Sequence, residues 1–301
     1  MKTQLIRFAA GSVIFALFSN GMCSSSDPNP ATPLQAATAC QLRSAASSDG
    51  TTETYVLDSQ NRLASLTISS GSGQTVFSLV YGKTDGRLSL IDGSRAGKQL
   101  SITSLSRTAE QLTQVENTVY AVDAYSNPYG GYVSLKNLIN TANVVWQGDR
   151  LAKVNTKASA QGQPKLGDGS TTYDYDATGN VSKLSGFNNS DFGGLVETGL
   201  TFYITYEYED KILQPKQQTG VPVQFDFLDD GQIGVQPVSP KAVKKASTYL
   251  VNKGQAELAA TTTYTNTANS QGYLVKSVGK TTYSTTPGDT ETIMYVYGNC
   301  Q

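Results

Sequence analysis

The chain has 301 residues and a formal net charge of −1, and 16% of its residues are charged, compared with about 25% in an average soluble domain. No excess of basic residues is present to attract nucleic acid. Histidine is absent, which excludes Ser-His and Cys-His nucleophilic pairs and histidine-ligated zinc. We therefore expect a non-enzymatic protein without a cofactor or a bound metal.

The first 22 residues are predicted to be an export signal. Lys2 and Arg7 form a positively charged start, and the apolar stretch that follows is too short to span a membrane as a helix. Cys23 comes directly after it, and this arrangement resembles a bacterial lipoprotein signal, in which the cysteine becomes the lipidated first residue. Met22 is larger than the residue usual at that position, so an ordinary secretory signal is the alternative.

Residues 23–38 are rich in Ser, Pro, Ala and Asn and are predicted to be a lipidated, flexible tether. Residues 39–301 are predicted to form a single β-repeat domain. Cys40 and Cys300 lie at the two ends of this domain. Because export places them in an oxidising compartment, we expect a disulfide between them. Two free buried thiols are the alternative.

A short pattern recurs through this domain: an aromatic pair, a polar turn and then an aliphatic residue. Tyr and Val favour a half-buried strand, whereas Asp, Asn and Gly favour a tight reversal with positive φ. Each copy therefore predicts one β-hairpin. In chain order the copies are 55–66, 80–90, 145–154, 173–184, 206–213, 264–278 and 295–297. Their predicted turn residues are Asn61, Asp85, Gly86, Gly148, Gly179, Asn180 and Gly272.

The copies are unevenly spaced, and each has an apolar face that a neighbouring copy must cover. The sequence thus predicts an all-β fold, in which a repeat-built antiparallel meander forms a curved sheet or a small open barrel. One or two short helical insertions are expected, at residues 135–139 and 239–247. In the second of these, Ser239 is a plausible N-cap and Pro240 follows at the first helical position. A surface loop is the alternative there.

The chain offers few candidates for binding chemistry. Asp226, Asp229 and Asp230 lie close to Gly231, which predicts a hairpin turn, with a weak calcium or glycan contact as the alternative. The segment 174–180 looks like the start of a calcium loop but lacks the closing carboxylate, so no metal site is expected. The 17 tyrosines are expected mainly in the core and in cross-strand pairs, with an exposed strip for stacking on sugars as the alternative.

The segment 173–184 resembles the tyrosine-aspartate repeat of the Rhs and teneurin shells, in which Tyr-Asp is followed by Gly-Asn and then Leu. The layout of signal cysteine, polar tether and divergent repeats is similar to that of exported lipoproteins of the Bacteroidetes group, which are generally of unknown function. The resemblance covers about residues 40–300, and its best copies are 81–90 and 173–184. It implies structural hairpins that carry no catalytic residues.

These observations predict a cell-envelope lipoprotein that acts as a binding or scaffold component, held at the outer membrane by lipid on Cys23. Its expected partners are the membrane, through that lipid, and a glycan or protein ligand, with no nucleic acid. The alternative is a carboxylate-dependent hydrolase of glycans, because such enzymes need no histidine.

Overall fold

The computed structural model describes residues 40–109, 111–126, 132–192, 195–196, 200–284 and 288–298. The predicted signal and tether, Cys23 and Cys300 lie outside these ranges. Every regular element in the described ranges is a β-strand, and none of the described residues form a helix long and apolar enough to cross a membrane.

The strands are numbered in chain order. They are β1 (Gln41–Ser47), β2 (Thr52–Leu57), β3 (Leu63–Ser70), β4 (Gly73–Tyr81), β5 (Leu88–Arg95), β6 (Lys98–Thr108), β7 (Gln111–Ser126), β8 (Tyr132–Gln147), β9 (Arg150–Ala160), β10 (Gln163–Tyr175), β11 (Val181–Phe192), β12 (Leu195–Val196), β13 (Leu200–Leu213), β14 (Gln224–Phe227), β15 (Ile233–Gln236), β16 (Lys241–Asn252), β17 (Gln255–Ala268), β18 (Leu274–Tyr283) and β19 (Thr290–Gly298).

The main sheet closes on itself. Strands β1 to β11 pair in sequence, followed by β13, β16, β17, β18 and β19, all antiparallel. The last strand then pairs with the first, with Gln41 opposite Gly298 and Ser47 opposite Ile293. The result is a closed 16-strand barrel, beside which the short β12 pairs with the end of β11. The all-β antiparallel prediction is thus confirmed, but the expected curved sheet or small open barrel is wrong, because the pairing of β1 with β19 leaves no free edge.

The two predicted helical insertions are strands. Residues 135–139 lie within β8, and residues 241–247 lie within β16. Strand β16 is hydrogen-bonded to β13 on one side and to β17 on the other. These ladders satisfy the backbone groups that a helix would have paired internally, so tertiary pairing overrides the weak helical preference of Ala and Lys.

The inner face of the barrel wall is apolar. Along β4, Phe77 and Leu79 are buried, whereas the neighbouring Ser78 and Val80 are exposed. This alternation is expected when one face of a strand packs against a core. The largest fully buried side chains include Phe77, Leu63, Leu66, Leu88 and Ile91.

A hairpin that is not part of the wall fills the interior of the barrel. Strands β14 and β15 pair with each other in a separate two-stranded sheet. We call residues 224–236 the inner hairpin. Its residues Phe225 and Phe227 are 0% and 4% exposed and belong to the same core cluster as the wall residues. The ring of Phe227 lies 4.9 Å from that of Phe77. The lumen is therefore packed by the chain itself.

Alternate turns of an antiparallel barrel lie at opposite ends. We call the end at which β1 begins and β19 finishes the tether end, because the residues before β1 lead to Cys23. The residues between β13 and β16, which carry the inner hairpin, leave and rejoin the wall at this end. All the turn residues predicted from the repeats also lie here: Asn61, Asp85, Gly86, Gly148, Gly179, Asn180 and Gly272.

Candidate functional site

Two turns at the tether end share one hydrogen-bonding scheme. A carboxylate oxygen of Asp176 accepts bonds from the backbone N–H groups of Thr178 (2.8 Å) and Asn180 (2.9 Å). Asp58 accepts the equivalent bonds from Gln60 (2.8 Å) and Arg62 (2.9 Å). Predicted turn residues with positive φ are Asn61 (60°), Gly86 (66°), Gly148 (64°), Gly179 (89°) and Gly272 (86°). These side chains hold backbone turns together rather than forming a binding site.

Most described tyrosines serve the wall and the core. Tyr55, Tyr173, Tyr264 and Tyr295 are buried. On the outer face, Tyr203 and Tyr249 stack with their ring centroids 4.6 Å apart, and the ammonium of Lys183 lies 4.6 Å from the Tyr203 ring centroid. Among the described residues, this partly exposed pair and Tyr120, which is also exposed, are candidates for the exposed strip considered from the sequence.

The three aspartates near Gly231 do not converge. A carboxylate oxygen of Asp229 accepts bonds from the hydroxyls of Ser70 (2.8 Å) and Ser72 (2.6 Å) in the β3–β4 connection. The carboxylate of Asp230 bonds within the turn, to the backbone N–H (3.0 Å) and the side-chain amide (2.6 Å) of Gln232. Among the described residues, no group of three acidic, cysteine or histidine side chains is placed to hold a metal ion.

Asp226, by contrast, lines a cavity of about 50 Å³ between the inner hairpin and the wall strands β1, β2, β3 and β19. Glu53 and Glu291 line the same cavity. The full lining is Ala45, Ser47, Thr51, Glu53, Tyr55, Leu66, Gln217, Phe225, Asp226, Phe227, Glu291, Ile293 and Tyr295.

Sequence reasoning missed Glu53 and Glu291. Each is separated by one residue from an inward-facing side chain of its own strand, Glu53 from Tyr55 and Glu291 from Ile293. Because a strand has a period of two, both carboxyl groups face the barrel interior. This alternation was the signal that would have found them, but their approach to Asp226 depends on the position of the inner hairpin.

The environment of the cavity disfavours ionised carboxyl groups. Burial, and then the negative charge of Glu53, raise the pKa of Asp226 to about 6, although the Gln236 amide donates a hydrogen bond to it. Burial also raises the pKa of Glu53, which accepts a hydrogen bond from the Tyr55 hydroxyl. The pKa of Glu291 is raised mainly by burial, despite a 2.7 Å bond from the Ser47 hydroxyl. The site is therefore a partly desolvated group of carboxyls.

The fold and this site define a class of protein: a closed antiparallel β-barrel that is filled by its own hairpin and has a small acidic cavity beside that hairpin. No protein-family model matches the chain, and no curated protein matches it by sequence. Among solved structures, it is similar to a porin-like protein from Bacteroides vulgatus, with a TM-score of 0.50 and 11% identity over 78% of this chain and 98% of that one.

Two further structural matches are weaker. A porin-like protein from Bacteroides uniformis has a TM-score of 0.39 and 13% identity over 85% of this chain and 96% of that one. The TcdB2-TccC3-Cdc42 structure has a TM-score of 0.29 and 11% identity, over 84% of this chain and 15% of that one. At these identities the similarities concern the fold alone.

Proposed function

We propose that the protein is a cell-envelope lipoprotein whose filled barrel is a rigid binding or scaffold component, held at the outer membrane by lipid on Cys23. The observation that carries this proposal is the packed lumen. Phe225 and Phe227 of the inner hairpin lie in one apolar core with wall residues such as Phe77. A conducting barrel needs a polar, water-filled interior, so the packing favours a structural or binding role over conduction.

The polarity of the wall supports an anchor outside the barrel. A membrane-spanning barrel has an apolar outer band and a polar interior. Here the described inward-facing side chains are mostly apolar. Exposed outward-facing positions are mixed: they include the polar residues Thr54, Ser78, Thr263, Lys276 and Lys280 and the apolar residues Val56, Val80, Val145, Leu258, Met294 and Val296. Lipid on Cys23, joined to β1 by the predicted tether, supplies a membrane attachment that does not require the wall to contact lipid.

The proposed ligand is a glycan or a protein at the cell surface. The Tyr203–Tyr249 pair on the outer face is suited to stacking against a sugar ring, because aromatic faces contact apolar sugar faces well and the phenol hydroxyls remain available for hydrogen bonds.

The anchoring test compares the wild type with Cys23→Ser in the full-length precursor, and Ser24→Ala serves as the control. We expect the wild type and Ser24→Ala to fractionate with the membrane and to incorporate labelled fatty acid. Cys23→Ser is expected to lose the label and to appear in the soluble fraction. An unlabelled wild type that is already soluble would contradict the proposal.

A second candidate function is glycan hydrolysis by carboxylates, favoured by the raised pKa values of three carboxyl groups in one cavity. The cavity of about 50 Å³ is far below the several hundred Å³ typical of ligand pockets, so the inner hairpin would have to move to admit a sugar ring. Assays on a panel of polysaccharides, with Asp226→Asn and Glu53→Gln as comparisons, test this candidate. Turnover by the wild type that both variants lose would support it.

A further inference from the structure

We infer that the cavity lined by Glu53, Asp226 and Tyr295 binds the protonated head of a primary amine, R–NH₃⁺. This inference goes beyond the proposed envelope role and does not depend on how the protein is anchored.

The side chains that line the cavity carry negative charge. Glu53 and Asp226 interact electrostatically, and Glu291 lines the same space. Among the described residues that line the cavity there is no lysine or arginine. Carboxylates withdrawn from water are costly unless a cation accompanies them. A bound cation would offset that cost, so the site favours a positively charged ligand.

The hydroxyl of Tyr295 is available to hydrogen-bond a ligand. Tyr295 is 5% exposed, and its hydroxyl has no hydrogen-bond partner among the described residues. Burial raises the pKa of this tyrosine well above its ordinary value, and its side chain lines the cavity together with Glu53. Buried hydroxyls nearly always have a partner. A ligand in the cavity would supply the missing one.

The carboxyl groups of Asp226 and Glu53 retain lone pairs that can accept further hydrogen bonds. The hydrogen bond to Asp226 from the Gln236 amide is 3.4 Å long. A carboxylate has room for about four hydrogen bonds, so Asp226 retains acceptor sites. Glu53 accepts a bond from Tyr55 and likewise has acceptor capacity left. Together with the Tyr295 oxygen, these groups offer acceptors for the three N–H donors of an ammonium.

The placement of the acidic side chains distinguishes an amine from a metal ion. No described trio of acidic, cysteine or histidine side chains is placed to hold a metal, whereas an ammonium needs only separate acceptors. The space of about 50 Å³ suits a group of the size of a few water molecules. Phe225, Phe227, Ile293 and Leu66 also line the cavity and supply apolar contacts for the first carbon of the amine. Ser47 and Thr51 are partly exposed, so the site opens to solvent.

The test is isothermal titration calorimetry with methylammonium and propylammonium chlorides at pH 8, compared with tetramethylammonium, sodium and calcium chlorides. We expect saturable binding of both primary ammonium ions and at least tenfold weaker binding of the other three cations. This selectivity is measured on the wild type and so does not require any variant to fold. Equal binding of methylammonium and tetramethylammonium, binding of calcium alone, or binding of none would overturn the inference.

Variants locate the site. Asp226→Asn is expected to weaken methylammonium binding at least tenfold. Tyr295→Phe is expected to weaken it at least threefold. Asp230→Asn is the matched control, because it removes a carboxylate from the same hairpin but outside the cavity and preserves an acceptor for the turn. Circular dichroism establishes that each variant is folded. Wild-type affinity in both folded cavity variants would place the binding elsewhere and refute the assignment.

Discussion

The hydroxyl of Tyr81 donates a 2.8 Å hydrogen bond to the backbone carbonyl of Leu63. Leu63 is the first residue after one turn at the tether end, and Tyr81 is the last strand residue before the next such turn. The bond therefore joins neighbouring repeats. Equivalent bonds run from Trp146 to Leu112 (2.6 Å), from Tyr175 to Leu151 (2.7 Å), from Tyr208 to Val181 (2.9 Å) and from Tyr297 to Leu274 (2.8 Å). These aromatic side chains thus cross-link neighbouring hairpins.

Removing one of these cross-links is expected to destabilise the barrel. Tyr81→Phe and Tyr175→Phe each keep the ring but leave a carbonyl without its partner, which costs about 1–2 kcal/mol of unfolding free energy. Tyr120→Phe is the control, because Tyr120 is an exposed tyrosine on a wall strand. Urea denaturation measures all three variants. A loss for Tyr81→Phe no larger than that for Tyr120→Phe would refute the cross-linking role.

The positive φ at the repeat turns predicts intolerance of β-branched residues. A Cβ added at Gly179 meets only the Arg150 guanidinium, at 3.8 Å, so Gly179→Val is penalised by its φ of 89° rather than by crowding. We expect a loss of about 1–3 kcal/mol in stability. Gly71→Val is the control, because Gly71 lies in open space without a positive φ. Equal thermal stability of the two variants would contradict the hairpin interpretation.

The raised pKa of Asp226, about 6, predicts that the barrel is more stable at mildly acidic pH. The native protein holds this proton more tightly than the unfolded chain does, so the contribution of Asp226 to stability is greatest below pH 4 and is lost as the pH rises through 6. The resulting decrease in the free energy of unfolding is roughly 3 kcal/mol at most. Glu53 and Glu291 shift in the same direction.

Denaturant unfolding between pH 4.5 and 8 measures this effect, with Asp226→Asn as the comparison. The variant is expected to show a flatter pH dependence than the wild type. Asp58, Asp176 and Asp229 have lowered pKa values, so their contributions are lost only at more acidic pH and fall outside this window. Parallel pH profiles for the two proteins would show that Asp226 is not responsible.

The pairing of β1 with β19 bears on the predicted disulfide. Gln41 lies opposite Gly298, and the adjoining Cys40 is 6% exposed, while Cys300 follows Gly298 by two positions in the sequence. A disulfide requires Cα atoms within about 4.4–6.8 Å of each other. In the simple entropic description, a disulfide that closes a loop of this length raises the free energy of unfolding by about 5–6 kcal/mol. Mass spectrometry of a non-reduced digest is expected to detect the linked Cys40 and Cys300 peptides. Two alkylated thiols would show that the prediction is wrong.

The sequence by itself determined the local architecture. The turn around Gly179 and the alternation of polar and apolar residues on its flanks identify hairpins, because turn chemistry and a period of two depend only on neighbouring residues. The antiparallel all-β fold follows from the repetition of such units. Glu53 was not singled out from the sequence, although its spacing to Tyr55 has the period of two expected of an inward-facing side chain.

Only the tertiary structure decided the closure, the filled lumen and the acidic cavity. The pairing of Gln41 with Gly298 joins residues from opposite ends of the chain, and the meeting of Glu53 with Asp226 depends on a hairpin that folds into the barrel. Residues 241–247 became a strand because β13 pairs with this segment from Lys241 and β17 pairs with it from Lys245 onward. Such long-range pairing and burial outweigh local preferences, and neither is encoded in any short segment of the sequence.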